Sequence, residues 1–144
     1  MPGDSAANRA ADRAAERYAE LRRDEASTPK KLYAVDGTVP PGAPVTDVAQ
    51  LTAIAAAAVR AGNGHVLETS HVQFPNGAVT LVLILAESHL SLHTWPEESL
   101  IAIDLFSCGA IDAGRVIGEL VRQLGLDRVA ARAVPRGVPS GGLG

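Results

Sequence analysis

Residues 78–109 read AVTLVLILAESHLSLHTWPEESLIAIDLFSCG, and their pattern decides the fold. The run Ala78–Glu87 is the strongest β signal in the chain, a Val/Leu/Ile stretch of strand length. Leu90–Trp95 and Leu100–Ser107 read as two further strands, set around the turn Pro96-Glu97-Glu98-Ser99. Upstream, His65–Phe74 reads as a strand that ends at the turn signal Pro75-Asn76-Gly77.

Two helices flank these strands. Thr46 and Asp47 can cap a helix running to Ala61, with Val48, Leu51, Ala55, Ala58 and Val59 along one stripe and Gly62 as the stop. Asp112–Leu124 is the second, turning Val116, Ile117, Leu120, Val121 and Leu124 inward before Gly125. Leu32–Val35 is a short first strand, residues 36–44 (DGTVPPGAP) are turn chemistry, and Arg128–Val134 is a last strand. The order is β-α-β-β-β-β-α-β, or β-α-β-β-β-α-β if residues 78–95 form one long bent strand. Either is an α+β two-layer sandwich, an antiparallel sheet with two helices on one face. The other face is left uncovered and apolar, which predicts a homodimer.

The chain has 144 residues, room for one domain, placed here over residues 31–134. Residues 1–30 are rich in Ala, Arg and Glu, with only Tyr18 and Leu21 as apolar anchors, and read as a solvated arm. Residues 135–144 (PRGVPSGGLG) read as a flexible tail. Thirteen Lys and Arg against sixteen Asp and Glu give no basic field for nucleic acid or anionic lipid. No apolar run approaches the ~20 residues of a membrane span, and the N-terminus lacks the apolar core of an export signal. A single cysteine excludes an intrachain disulfide framework and a Cys-rich zinc site, and it suits a cytoplasmic protein. The histidines are not at ligand spacing with acids, so no metal is expected.

Residues 86–109 concentrate the reactive side chains: His89 and His93, the only tryptophan, Phe106 and the only cysteine. A lone Cys in a strand is ordinarily a small hydrophobe, and alternating His89, Ser91 and His93 would suit a solvated strand face. A hairpin turn centred near residue 98 makes cross-strand partners sum to about 196. That sets Ser88 opposite Cys108 and His93 opposite Ile103. There is no G-x-S-x-G elbow for a hydrolase triad. His93 lies five residues beyond Ser88, about 16 Å along an extended strand. By strand parity the His89 ring faces away from Ser88, whereas Asp104 and Phe106 share parity with Cys108. His65 and His71 read as structural members of their strand, and Asp104 as a structural acceptor.

The stretch ESHLSLHTWPE (87–97), followed by DLFSCG (104–109), resembles the processing and active-site region of the prokaryotic S-adenosylmethionine decarboxylase proenzymes, which are pyruvoyl-dependent. The resemblance is dense over residues 74–109 and extends in element order from Leu32 to Val134. It implies that the Ser88 hydroxyl attacks the Glu87 carbonyl and that the chain splits between residues 87 and 88. Ser88 then becomes a pyruvoyl group that forms a Schiff base with the substrate amine and acts as an electron sink. It further implies Cys108 as proton donor, a role open to a thiol protonated at neutral pH, and His93 as the histidine that assists processing. Thr80 stands where the family often has a serine that also assists. Phe74 matches the aromatic that stacks on adenine, and Glu97 the acid that holds the ribose hydroxyls. Glu98, Ser99 and Leu100 stand in place of the family's Tyr-Gly-Tyr-like residues. Thr80 precedes Ser88 by eight residues, roughly 26 Å if the strand is straight. A composite site follows, with Ser88 and Cys108 from one subunit and Phe74, Thr80, His93 and Glu97 from the other. The implied function is decarboxylation of S-adenosylmethionine for polyamine (spermidine) synthesis. The alternatives are the same chemistry on arginine or ornithine, and a non-catalytic dimeric binding module of the same fold.

Overall fold

Alternation of apolar side chains through consecutive strands builds a six-stranded antiparallel sheet in the order β2-β3-β4-β5-β1-β6. The strands are β1 (Lys30–Thr38), β2 (Val66–Gln73), β3 (Val79–Leu85), β4 (Ser88–Trp95), β5 (Leu100–Ser107) and β6 (Val129–Arg136). Helix α1 (Val48–Ala61) joins β1 to β2, and α2 (Ala113–Leu124) joins β5 to β6. The structure is a computed structural model that describes residues 29–108 and 110–138. The arm expected over residues 1–30 therefore lies outside the described residues but for its last two positions. Of the tail, residues 139–144 lie outside them as well.

The expected α+β sandwich is the fold found, in the six-strand order β-α-β-β-β-β-α-β and not its five-strand alternative. Residues 78–95 are a hairpin, not one bent strand: Leu85 pairs with Ser88 across the two-residue turn Ala86-Glu87. β1 is longer than the four residues expected and takes in Asp36-Gly37-Thr38, because β5 and β6 flank it and supply ladder partners on both sides. Gly37 fits there because a Cβ at that position would stand 2.8 Å from Leu126 Cδ1. β6 runs to Arg136, two residues into the expected tail. Its Pro135 is tolerated because β6 is an edge strand.

The inner face of the sheet carries the core. Leu81, Leu83, Leu85, Leu90, Leu92, Ile101, Ile103 and Leu105 are all buried, each contributing about 1.5–3 kcal/mol over an exposed position. Leu51, Ala55, Ala58 and Val59 of α1 and Val116, Leu120 and Leu124 of α2 close over them, while Ile117 and Val121 are partly buried. Helix α1 starts on Asp47, one of its two expected caps, and Asp112, read as the first residue of α2, is its cap. The Asp47 carboxylate accepts from the Gln50 N–H (3.0 Å), and the Asp112 carboxylate from the Arg115 N–H (3.1 Å). Gly62 ends α1, and Gly125 ends α2 at φ +67°. Among the described residues no helix is long and apolar enough to cross a membrane.

Among the described residues no helix lies over the outer face. It presents Val72, Ile84 and Trp95, which are 56%, 43% and 40% exposed. Thr80, Val82, Ser91, His93, Asp104 and Phe106 share that face, half-buried.

Candidate active site

The β3–β4 hairpin carries reactive side chains at both of its ends. At the turn, Ser88 opens β4 with φ +140°, a region that side-chain-bearing residues rarely enter and that costs about 1–3 kcal/mol. The carbonyl oxygen of the preceding Glu87 accepts a hydrogen bond from the Cys108 backbone N–H (3.1 Å). The Ser88–Cys108 neighbourhood therefore exists, but not in the expected register. Partners on β4 and β5 sum to 195, so Ser88 faces Ser107 and His93 faces Ala102. The cause is the loop. A 3₁₀ turn at Pro96–Glu98 with Ser99 left-handed (φ +50°) closes four residues between Trp95 and Leu100, shifting the centre by half a residue.

The His89 expectation also changes. Its Nδ1 lies 3.5 Å from Ser88 Oγ, because the positive φ at Ser88 breaks the regular alternation of the strand. The His89 ring packs on Phe106 at 5.7 Å, and the Arg136 guanidinium covers Phe106 at 5.4 Å. Asp104, with Ser91 Oγ donating to its Oδ2 (3.4 Å), and Phe106 line the open face. Cys108, one residue past β5, is buried. His71 is exposed on β2. His65 stands just before β2 rather than within it.

At the far end of the hairpin Thr80 pairs with His93, and Thr80 Oγ1 lies 3.1 Å from His93 Nδ1. The His93 ring neighbours Trp95 at 6.1 Å. The β2–β3 and β4–β5 loops meet here, with Asn76 Nδ2 donating to Glu97 Oε1 (2.6 Å). Phe74 stands half-exposed at the start of the β2–β3 loop, its N–H donating to the Ala78 carbonyl (2.8 Å). Phe74, Thr80, His93 and Glu97 thus gather at one end, and Glu87, Ser88 and Cys108 at the other. Because the chain folds back at residues 86–87, Thr80 is not eight strand steps from Ser88. It is five, about 17 Å, which is still far beyond contact.

Two contacts are absent from the sequence expectations. The Asn76–Glu97 bond left no signal beyond a turn asparagine. The Glu87 side chain, 2% exposed, accepts at Oε1 from the His65 N–H (2.6 Å), with His65 Nδ1 at 3.2 Å. An acid closing an apolar run was the available clue, since a buried carboxylate demands a donor.

The S-adenosylmethionine decarboxylase family model matches residues 32–137. The chain belongs to this family. A decarboxylase proenzyme of that name from Prochlorococcus marinus is 42% identical over 90 residues, 62% of this chain and 71% of the relative. One from Pyrobaculum arsenaticum is 39% identical over 79 residues, 54% of this chain and 59% of the relative. The match therefore spans less than two thirds of the Pyrobaculum protein. The crystal structure of the adenosylmethionine decarboxylase from Aquifex aeolicus superposes with a TM-score of 0.66 at 27% identity, covering 83% of this chain and 99% of that one. A proenzyme family whose cofactor is a pyruvoyl group built from the chain itself suits the turn described above. The serine opens a strand rather than lying within one, and the carbonyl before it already has a backbone donor.

Proposed function

We propose that this protein cleaves itself between Glu87 and Ser88 and then decarboxylates S-adenosylmethionine, acting as a homodimer in a reducing cytoplasm. The observation that carries the reading is the turn itself: Ser88 at φ +140°, beside a Glu87 carbonyl that accepts from the Cys108 N–H. Ser88 Oγ adds to the Glu87 carbonyl carbon, and the Cys108 N–H stabilises charge growing on the carbonyl oxygen. The C–N bond breaks, the nitrogen takes the hydroxyl proton, and an ester links the two segments. A base then removes the Ser88 α-proton, the Cβ–Oγ bond breaks, and Glu87 leaves as a carboxylate. Tautomerisation and water turn the resulting dehydroalanine into a pyruvoyl group and ammonia.

That group supplies the electron sink for loss of carbon dioxide. Cys108 returns a proton to the substrate carbon. His93, its ring held by the Thr80 hydroxyl, assists the elimination. Phe74 stacks on the adenine, and Glu97 accepts from the ribose hydroxyls. Since about 17 Å separates Thr80 and His93 from Ser88, these four residues serve the Ser88 of the other subunit. The exposed Val72, Ile84 and Trp95 of the open face support pairing there.

Intact-mass measurement tests the processing. Fragments 1–87 and 88–144, the second without a free amine, are expected; a single chain of full mass overturns the reading. Release of labelled carbon dioxide from S-adenosylmethionine, and not from arginine or ornithine, tests the substrate; release from either amino acid instead reassigns it.

A further inference from the structure

Self-cleavage makes no direct use of the Glu87 side chain, yet it is the only charged side chain buried among the described residues. A carboxylate on a two-residue turn would ordinarily lie in water. Here burial is compensated at Oε1 alone, and Oε2 has no hydrogen-bond partner among the described residues. Something must hold it inward.

Two contacts do so and a third holds the neighbouring Ala86, all from His65. Its N–H donates to Glu87 Oε1 (2.6 Å), its Nδ1 lies 3.2 Å from the same oxygen, and its carbonyl accepts from the Ala86 N–H (3.0 Å). Both turn residues are thus pinned to one residue of a distant segment. That segment is itself fixed. Asn63 takes a left-handed φ of +62°, the Gly64 N–H donates to the Val59 carbonyl (2.8 Å), and a Cβ on Gly64 would stand 2.5 Å from Ile111 Cδ1. An irregularity between Val66 and Glu68 bends β2 where it passes the turn.

We propose that Glu87 and His65 are positioning residues for self-cleavage, a strap that holds the Glu87 carbonyl against the Cys108 N–H while Ser88 stays in its unfavourable conformation. The proposal rests on the self-cleaving reading above. Released from the strap, the turn relaxes, Ser88 leaves positive φ, and the carbonyl swings away from its donor. The step that suffers is the first, the shift of the acyl group from nitrogen to oxygen.

The test uses the full chain, sampled by intact mass from the time of synthesis. His65 is 36% exposed, so its variants keep the core. His65→Ala keeps the two backbone contacts and removes that of the ring, which should slow appearance of the two fragments about tenfold, and His65→Asn, whose amide can reach the same carboxylate, should recover most of the rate. Glu87→Ala should slow it by at least 100-fold. The uncleaved variant chains should resist hydroxylamine, which cuts esters and spares amides. Wild-type cleavage rates in folded His65→Ala overturn the proposal. So does slowing that follows the melting temperature with no recovery in His65→Asn, or a hydroxylamine-sensitive ester, which would put the defect in the second step. If the wild-type chain itself stays whole, the self-cleaving reading fails instead.

Discussion

Coexpression of Ser88→Ala and His93→Ala chains should restore a cleavage that neither variant shows when expressed alone. Five strand steps between the two positions give about 17 Å, whereas a proton-transfer partner must come within about 3 Å. No side-chain rotation spans that gap inside one chain. If the sites are composite, a mixed dimer holds one site with both defects and one with neither. The intact site joins Ser88 of the His93→Ala chain to His93 of the Ser88→Ala chain. Random pairing makes about half of the dimers mixed, and one chain of each can then be cut, so about a quarter of all chains should appear as fragments. The fragments must carry the His93→Ala mass, since a chain with alanine at 88 has no nucleophile. The assay is intact mass on the mixture, with differently tagged chains to count mixed dimers. Mixed dimers present with no fragments of the His93→Ala chain would refute the composite site.

Replacing Ile84 by Glu puts a charge on the open face and should shift the protein to monomer by sedimentation, with self-cleavage falling in step; a folded monomer that cleaves normally would argue against the interface. Cys108→Ala keeps the backbone N–H that faces Glu87, so the chain should still split while decarboxylation drops by about 100-fold or more. Thr80→Val removes the hydroxyl beside His93 Nδ1 and should slow fragment appearance about tenfold, with hydroxylamine-sensitive ester accumulating. Leu83→Ala, in the centre of the inner face, should cost about 2–5 kcal/mol in urea unfolding.

Helices and their ends were legible because their signals are local. Asp47, Gly62, Asp112 and Gly125 each act within one turn of their own backbone; Asp47, Gly62 and Gly125 bound their helices as read, and Asp112 is the cap rather than the first helical residue. Strand limits were less legible. Asp36-Gly37-Thr38 has turn composition, and only its place between β5 and β6 keeps it extended. Register failed by one residue because it depends on whether the loop after Trp95 closes around three or four residues, a difference of backbone angle at Ser99 that side-chain pattern does not encode. Among the site residues, the pairing of Thr80 with His93 was not legible, because it depends on the chain folding back at residues 86–87, whereas Ser88 lies one register step from the partner read for it. His89 was misread because alternation assumes ordinary φ values, and Ser88 does not have one. The burial of Glu87 against His65 joins residues 22 apart through the bend of β2, and no periodicity reports a contact of that kind.

Strand order adds a mechanical consequence. A break after Glu87 assigns β1, α1, β2 and β3 to one fragment and β4, β5, α2 and β6 to the other. In the sheet these are not two halves side by side, because β1 lies between β5 and β6. The larger fragment therefore touches the smaller along three ladders, β3–β4, β1–β5 and β1–β6, with its first strand threaded between two strands of its mate. Pulling the fragments apart means unzipping all three and opening the core beneath. The cut pair should therefore copurify without any covalent link and come apart only under conditions that unfold the sheet.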